Sequence, residues 1–219
     1  MSRRLAIPQA VTGLVIIGVC LFGSAGQLDI MEFWEYLTVC ALSSAVSVYG
    51  TDPELFKERL RPGGQNLPRR YLWLALLPIV HWCIAGLDRG RYHRSDSVPD
   101  GLQAVGIVGF TFAIAMIVWA MHLNRFFSSV IRIQAERGHH VISTGPYRWV
   151  RHPGYAAMLL ACLTSGLALG SWLSIMPMLA FIPFILYRTL AEDRILKRAL
   201  PGYASYAEQV RYRLFPKIW

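Results

Sequence analysis

Charged residues are scarce in this sequence. Asp, Glu, Lys and Arg together make up 16% of its 219 residues, whereas hydrophobic residues make up 54%. A soluble domain of this length is rarely so apolar. The four cysteines form no CxxC pair and show no metal-ligand spacing, so no metal site is indicated, and the thiols are expected to be small buried side chains. The sequence has no internal repeat and no low-complexity tract.

The apolar residues occur in blocks that approach the length of a membrane-spanning helix, which needs roughly 20 residues. The fourth block carries no charge, and the last two are short and joined only by Gly170–Ser171, which predicts a tight helical hairpin. The first block is expected to be a retained helix, because no clear cleavage site follows it. We predict an all-α, polytopic membrane helix bundle with about six transmembrane helices, at 11–27, 33–50, 71–87, 102–123, 154–170 and 172–188.

Basic residues are distributed unevenly between the segments that join these blocks. Lys and Arg number 22, and 19 of them lie in four alternate segments: 1–10, 51–70, 124–153 and 188–219. The positive-inside rule places these segments, and therefore both termini, on the cytoplasmic side of the membrane. This membrane is expected to be a bacterial-type inner membrane or an equivalent one. The net charge of +9 is then mainly a topology signal, and no basic-aromatic surface indicates a nucleic-acid partner.

Polar chemistry gathers in two predicted cytoplasmic stretches, 124–155 and 188–213. Each stretch adjoins one end of the predicted hairpin, so we expect the two to meet. The chain accordingly divides into four N-terminal transmembrane helices, 1–123, and a C-terminal core, 124–219. A site in this core would face the cytoplasm beside the hairpin and also touch lipid. Such a position suits a soluble cofactor and a lipid-like substrate.

The first stretch contains GPYRWVRHPGY, residues 145–155. Pro153 suits the first position of a helix, and the N–H groups that follow it favour an anion. The rings of Tyr147, Trp149 and Tyr155 can stack on an adenine or hold a cation. Arg151 has two possible roles, either anchoring a cofactor carboxylate or pairing with an acidic neighbour. The pattern predicts a cofactor cradle at the start of the fifth helix.

The second stretch begins where the sixth helix leaves the membrane. Arg188 and Glu192 are four residues apart and share a helix face, and Arg188 ends an apolar run. Solvated ion pairs are expected for the charged residues that follow, which are Asp193, Arg194, Lys197 and Arg198. The spacing of Tyr203, Tyr206 and Val210 predicts an amphipathic helix packed on the membrane surface.

Three motifs in these stretches resemble one family. They are GPYxxxRHPxY at Gly145–Tyr155, RxxxE[DE] at Arg188–Asp193 and GYxxYxxxV at Gly202–Val210. Together they resemble the isoprenylcysteine carboxyl methyltransferase family, integral membrane enzymes that use S-adenosylmethionine and are related to phospholipid methyltransferases. The resemblance covers about residues 124–219. It implies that S-adenosylmethionine is the cofactor.

The resemblance also implies roles for individual residues. Arg188 falls on the position that engages the substrate, and His140 stands where the family varies. Glu192 and Asp193 occupy positions where the family can have two glutamates, and placing Gln134 requires a two-residue gap. The implied cofactor-contacting residues are Gln134, His139, Val141, Ile142, Tyr147, His152, Pro153, Gly154, Tyr155 and Glu192.

The chemistry favours a carboxylate as the methyl acceptor. A carboxylate is ionised at neutral pH and needs no base, and Arg188 can bind it bidentately. An ammonium acceptor would require a base and would be repelled by Arg188. The expected partners are a lipophilic small molecule or lipid-modified acceptor and membrane lipid, and no obligate protein partner is indicated.

Three alternatives stay open at this point. They are a phospholipid N-methyltransferase, an NAD(P)H-dependent intramembrane reductase and a non-enzymatic transporter. A transporter should carry ionisable residues deep in the membrane. His81 and His122 are instead predicted near helix ends, which argues against transport.

Overall fold

Every regular secondary-structure element is a helix in the part that the computed structural model describes, residues 3–64 and 73–219. The all-α prediction is therefore confirmed. Residues 65–70 of the basic segment 51–70, the first two residues of the third apolar block, and residues 1 and 2 lie outside the described residues. The helices are α1 (Arg3–Gly18, continued by a π-helical turn at Val19–Gly23), α2 (Met31–Gly50), α3 (Pro53–Leu60), α4 (Leu76–Leu87), α5 (Asp100–Leu123), α6 (Pro153–Ala168), α7 (Trp172–Ala199) and α8 (Tyr203–Gln209).

The apolar blocks of the sequence correspond to the long helices. Among the described residues, three helical segments are long and apolar enough to cross a membrane, namely Ala6–Gly23, Asp100–Leu123 and Trp172–Ala199. Helix α6 is apolar but shorter. The structure thus supports a membrane protein, and the count of six crossings stays a prediction.

The predicted hairpin is formed by α6 and α7. Pro153 occupies the first turn of α6, where its missing N–H costs nothing. Gly170 turns the chain with a φ of 71°, a value that favours glycine. The buried side chain of Ser171 then accepts a hydrogen bond from the Ser174 N–H and caps α7. The two helices are therefore antiparallel neighbours, and the prediction of a tight hairpin is confirmed.

Glycines let the helices approach closely. A Cβ atom on Gly106 of α5 would lie 2.5 Å from the Ala168 nitrogen, and one on Gly109 would lie 2.7 Å from the Thr164 side chain. On α6, a Cβ atom on Gly166 would lie 2.4 Å from Ile175 of α7. Small residues at helix crossings strengthen van der Waals packing in membranes, where the hydrophobic effect between helices is weak.

A buried carboxylate joins the loops at one end of the bundle. Asp88 follows α4 and accepts hydrogen bonds from the backbone N–H groups of Arg94 and Ser95, at 2.9 and 2.8 Å. The hydroxyls of Ser95 and Ser171 also donate to it. Burial opposes ionisation of this carboxyl, but these hydrogen bonds hold its pKa below the usual range. The α4–α5 loop is thereby fixed to the turn of the hairpin.

A second buried carboxylate organises the opposite end. Glu58 of α3 receives two hydrogen bonds from Arg132, at 2.9 and 2.7 Å, and one from the Ser128 hydroxyl at 2.9 Å. The Gly63 N–H donates to it at 3.1 Å. Despite burial, these donors hold the pKa of Glu58 below its usual range. Helix α3 is therefore attached to the segment that follows α5.

The prediction of an amphipathic helix packed on the membrane surface is wrong. Helix α8 has only seven residues, and Tyr203 and Tyr206 are buried in the protein. The Tyr206 hydroxyl donates to the Tyr147 carbonyl at 2.7 Å. The chain after α8 returns to the start of α6, where the Arg151 N–H donates to the Tyr212 carbonyl at 3.0 Å. The Tyr203 and Tyr206 hydroxyls form hydrogen bonds within the protein, so the chain from α8 onward packs against the helix bundle.

The predicted position of His81 is also wrong. It lies in the middle of α4 and is 1% exposed, whereas His122 does lie in the last turn of α5. The His81 ring bonds to the Ser174 carbonyl at 2.6 Å and to the Ser165 hydroxyl at 2.7 Å. Both ring nitrogens thus connect α4 with α6 and α7, so His81 has a structural role.

The close α5–α6 contact generates a stability prediction. We expect Gly106→Ala to lower the thermal unfolding midpoint in detergent, with a loss of about 1–3 kcal/mol, because the added methyl overlaps the α6 backbone. The matched control is Gly101→Ala in the same helix, where a Cβ atom meets nothing within 4 Å. The control should gain up to about 1 kcal/mol from helix propensity. Equal midpoints for the two variants would contradict the packing argument.

Candidate active site

A cavity of about 580 Å³, its open mouth included, lies between the segment after α5, the start of α6, the end of α7 and α8. Eight of the ten residues expected to contact the cofactor line it: His139, Val141, Ile142, Tyr147, His152, Gly154, Tyr155 and Glu192. His140 also lines it.

The other two expected residues lie behind the cavity. Gln134 is fully buried, and its amide donates to the Phe126 carbonyl at 2.7 Å while its carbonyl accepts from Arg137. Pro153 is buried in the first turn of α6. Both residues hold segments that carry cavity residues, and neither side chain is among those lining the cavity.

Several lining residues were missed by the sequence reasoning. Phe127 contacts Gly154 so closely that a Cβ atom on the glycine would lie 2.4 Å from the ring. The glycine at the start of an apolar helix indicated a close contact, but the sequence could not identify Phe127 as the residue in contact with it. The other missed residues are Asn124, Ser128, Leu196, Leu200, Tyr203 and Tyr206.

The start of α6 is less open to an anion than its sequence suggested. The N–H groups of Tyr155 and Ala156 both donate to the His152 carbonyl at 3.1 Å. These two donors are therefore occupied within the chain. The expectation that the N–H groups after Pro153 receive a polar end of the cofactor is wrong for this pair.

Tyr155 connects the cavity to Arg188. Its hydroxyl donates to the Glu192 carboxylate at 2.7 Å and accepts from the Arg188 Nε at 3.1 Å. A second guanidinium nitrogen of Arg188 donates to the Ser129 carbonyl at 2.6 Å. Arg188 and Glu192, which share one face of α7, thus both form a hydrogen bond with the Tyr155 hydroxyl. This hydroxyl orients both side chains. Arg188 does not itself line the cavity.

Asp193 is a buried hub rather than the solvated residue expected from sequence. It is 2% exposed and receives two hydrogen bonds from Arg151, at 2.7 and 3.1 Å. Arg213 donates to it at 3.0 Å, and the Tyr203 hydroxyl donates at 3.1 Å. The i,i+4 partner expected from the sequence is present, because Lys197 lies 3.5 Å from this carboxylate, but the carboxylate is buried, so the expectation that it is solvated is wrong. His152 lies 3.4 Å away.

The structure decides between the two roles left open for Arg151. One terminal nitrogen and Nε bind Asp193, and the other terminal nitrogen donates to the Val210 and Arg211 carbonyls, at 2.7 and 2.8 Å. Every guanidinium nitrogen is thus used within the chain. Arg151 holds the start of α6 to the end of α7 and the tail.

His139 is neutral at physiological pH. Burial, reinforced by the nearby charges of His140, Arg132 and Arg137, lowers the pKa of His139 to about 4. Its Nδ1 accepts the Gln134 N–H at 3.2 Å, so the proton of the neutral ring lies on Nε2. The ring is stacked on Phe126 with a centroid separation of 4.4 Å. The cavity therefore gains an uncharged wall at this position.

The sequence comparisons give one family match and two curated relatives. Residues 104–198 match the model of the isoprenylcysteine carboxyl methyltransferase (ICMT) family. The cobalt-zinc-cadmium resistance protein CzcN of Cupriavidus metallidurans is 28% identical over 53% of this chain and 50% of that protein. The nickel-cobalt-cadmium resistance protein NccN of Alcaligenes xylosoxydans xylosoxydans is 23% identical over 67% of this chain and 64% of that protein. The chain thus spans half to two thirds of the length of these relatives.

The fold comparison agrees with the family match. The solved structure of the eukaryotic intramembrane Ras methyltransferase ICMT superposes with a TM-score of 0.66 at 15% identity, covering 97% of this chain and 77% of that one. The chain is therefore an integral membrane protein with the fold of ICMT. Its residues 104–198 match the ICMT family model, in agreement with the resemblance that its motifs indicated.

The two bacterial relatives are named for metal resistance. Within residues 3–64 and 73–219, no three His, Cys, Asp or Glu side chains come together in a group that could hold a metal ion. The four cysteines in this part are free thiols.

The Asp193 hub generates the second prediction. Asp193→Ala should destabilise the protein by about 3–5 kcal/mol, because it leaves Arg151 buried without a counter-charge. The matched control is Glu208→Ala, which removes an exposed carboxylate that forms no ion pair among the described residues. Thermal unfolding in detergent measures both variants.

A double-mutant cycle distinguishes this ion pair from a general loss of packing. Arg151→Ala introduced into Asp193→Ala should cost much less than Arg151→Ala in the wild type, because the two side chains interact directly. Additive losses would contradict the assignment of Asp193 as the partner that neutralises Arg151.

Proposed function

We propose that this protein is an S-adenosylmethionine-dependent methyltransferase that acts at the membrane and transfers a methyl group to the carboxylate of a lipophilic acceptor. The acceptor resembles an isoprenylcysteine in chemistry, with an apolar chain and a free carboxylate. Residues 124–219 form the methyltransferase core, which contains the cofactor cavity and Arg188. The family match and fold support methyl transfer, and the arrangement around Tyr155 supports the choice of acceptor.

The residues present fit S-adenosylmethionine. Gly154 lets the Phe127 ring pack against the start of α6 as part of the cavity wall, since a Cβ atom there would lie 2.4 Å from that ring. The Glu192 carboxylate and the faces of Tyr147 and Tyr155 suit a molecule with cationic groups and an aromatic base. When bound, S-adenosylmethionine supplies an electrophilic methyl group on a sulfonium.

The charge balance of the cavity is the observation that carries the proposal. Of the described residues that line it, Arg151 is the only Lys or Arg, and its guanidinium is neutralised by Asp193. Glu192 lines the same cavity and contributes a carboxyl group to its wall. This balance favours a cationic cofactor over a dinucleotide, whose phosphates require cations, and therefore favours methyl transfer over reduction.

Arg188 is proposed to hold the acceptor carboxylate. Tyr155 and the Ser129 carbonyl fix two of its nitrogens, and the remaining terminal nitrogen is the one available to an acceptor. A carboxylate is already ionised and requires no base, so the work of the site is orientation. A protonated amine would be repelled by the guanidinium, which disfavours phospholipid N-methylation.

Cofactor binding and methyl transfer should respond differently to substitution. We expect S-adenosylhomocysteine to bind wild type and Arg188→Ala with similar affinity in calorimetry. Transfer of radiolabelled methyl to a lipid extract should fall in Arg188→Ala by the equivalent of about 2–5 kcal/mol. Glu192→Gln should weaken binding of S-adenosylhomocysteine instead.

Arg194→Ala is the matched control for Arg188→Ala. It removes an exposed arginine from the same helix and should leave both measurements unchanged. Loss of S-adenosylhomocysteine binding in Arg188→Ala, or stabilisation of the wild type by NADPH and not by S-adenosylhomocysteine, would count against the proposal.

We further propose that the cavity end of the bundle, together with both termini, faces the cytoplasm. The described part of the basic segment 51–70, residues 51–64, lies at this end with the segments 124–153 and 188–219, whereas Asp88 organises the other end. The positive-inside rule assigns the basic end to the cytoplasm.

Single cysteines in a cysteine-free background test this orientation. Ser97 and Ser205 are exposed and lie at opposite ends of the bundle. An impermeant thiol reagent applied to intact cells should label Ser97→Cys, and Ser205→Cys only after lysis. The reverse pattern, or labelling of both from outside, would refute the orientation.

A further inference from the structure

A second guanidinium lies beside Arg188. Arg59 of α3 donates to the Phe127 carbonyl at 3.3 Å, while Arg188 of α7 donates to the Ser129 carbonyl at 2.6 Å. The Ser129 hydroxyl in turn donates to the Arg59 carbonyl at 2.9 Å. Two arginines that are far apart in sequence are therefore held by the same three-residue segment, 127–129.

Both arginines touch residues that line the cavity. The Arg59 guanidinium lies 5.5 Å from the centre of the Phe127 ring, and the Arg188 guanidinium lies 5.9 Å from the centre of the Tyr155 ring. Phe127 and Tyr155 both face the proposed cofactor space. A group held by the two guanidiniums would therefore lie next to that space.

Neither guanidinium has a carboxylate partner. Within residues 3–64 and 73–219, no Asp or Glu lies within 4 Å of Arg59 or Arg188, and the sequence 65–72 contains no acidic residue. Glu192 reaches Arg188 only through the Tyr155 hydroxyl. Other partly buried arginines are paired, such as Arg132 with Glu58.

Arg59 is partly buried and held in place. The preceding residue, Glu58, is the buried carboxylate that Arg132 and Ser128 fix, so the backbone at Arg59 cannot swing freely. Burial lowers the pKa of Arg59, and the positive charge of Arg188 lowers it further. The two cations repel each other in a medium of low dielectric constant, and an anion bound by both would relieve the repulsion and the cost of burial.

We propose that Arg59, contributed by the N-terminal half of the chain, joins Arg188 in binding the anionic end of the acceptor. This inference rests on the proposed function. A carboxylate has two oxygens and can accept hydrogen bonds from two guanidiniums at once. Arg59 is thus a specificity residue contributed by the N-terminal half of the chain.

Binding of a matched pair of probes tests the inference. The probes are N-acetyl-S-farnesyl-L-cysteine and its carboxamide, which has the same apolar chain and no charge. Calorimetry on the full chain in nanodiscs should show the carboxylate binding about tenfold or more tightly than the amide. Arg59→Gln should abolish most of that preference, and Arg59→Lys should retain part of it because a cation remains.

Arg61→Gln is the matched control, because it removes an exposed arginine two residues away. It should leave the preference for the carboxylate unchanged. S-adenosylhomocysteine binding, measured on the same samples, reports whether each variant is folded and should stay within about twofold of wild type.

The outcomes separate this inference from the proposed function. If wild type binds both probes equally, or neither, or if Arg59→Gln keeps the preference, the anion site is refuted. If Arg59→Gln also loses S-adenosylhomocysteine binding, Arg59 is needed for the fold and the assignment fails. If wild type does not bind S-adenosylhomocysteine but its carboxylate preference depends on Arg59, the anion site stands and the proposed methyltransferase function fails.

Discussion

The buried ion pair between Arg151 and Asp193 is the interaction on which the candidate site depends. It joins the start of α6 to the end of α7, and through the Val210 and Arg211 carbonyls it also fixes the tail. Two desolvated charges are costly unless their remaining hydrogen-bonding capacity is used. Here Tyr203 and Arg213 complete the shell of Asp193, so three separate parts of the cavity wall assemble around one carboxylate.

Whether a guanidinium is paired with a carboxylate of the protein also decides whether that arginine is available to a ligand. Arg151 lines the cavity but is fully used by protein acceptors, so it contributes structure. Arg188 and Arg59 lie outside the cavity lining, and neither pairs with a carboxylate among the described residues. In the proposed function these two arginines act on the acceptor, and what distinguishes them from Arg151 is that they lack a local counter-charge.

Tyr155 couples the two halves of the site. Its hydroxyl is shared by Glu192, which faces the cavity, and Arg188, which faces the proposed acceptor. This alignment requires α6 and α7 to keep a fixed register. The close approach of Gly166 to Ile175 and the cap formed by Ser171 at the hairpin turn provide it. The bundle end that is remote from the cavity therefore helps to set the geometry of the cavity.

The amino-acid sequence by itself determined the helices and the general place of the site. Long apolar runs must bury their backbone polar groups in helices, and the motifs around Pro153 and Arg188 flank a short hairpin, so eight expected residues meet at one cavity. The tertiary structure alone decided how the charges pair. Helical spacing suggested a solvated Asp193 and a surface role for Tyr203, whereas both are buried against Arg151 and its neighbours. These contacts join residues that are far apart in sequence or lie on different helices, and burial rather than spacing sets their strength.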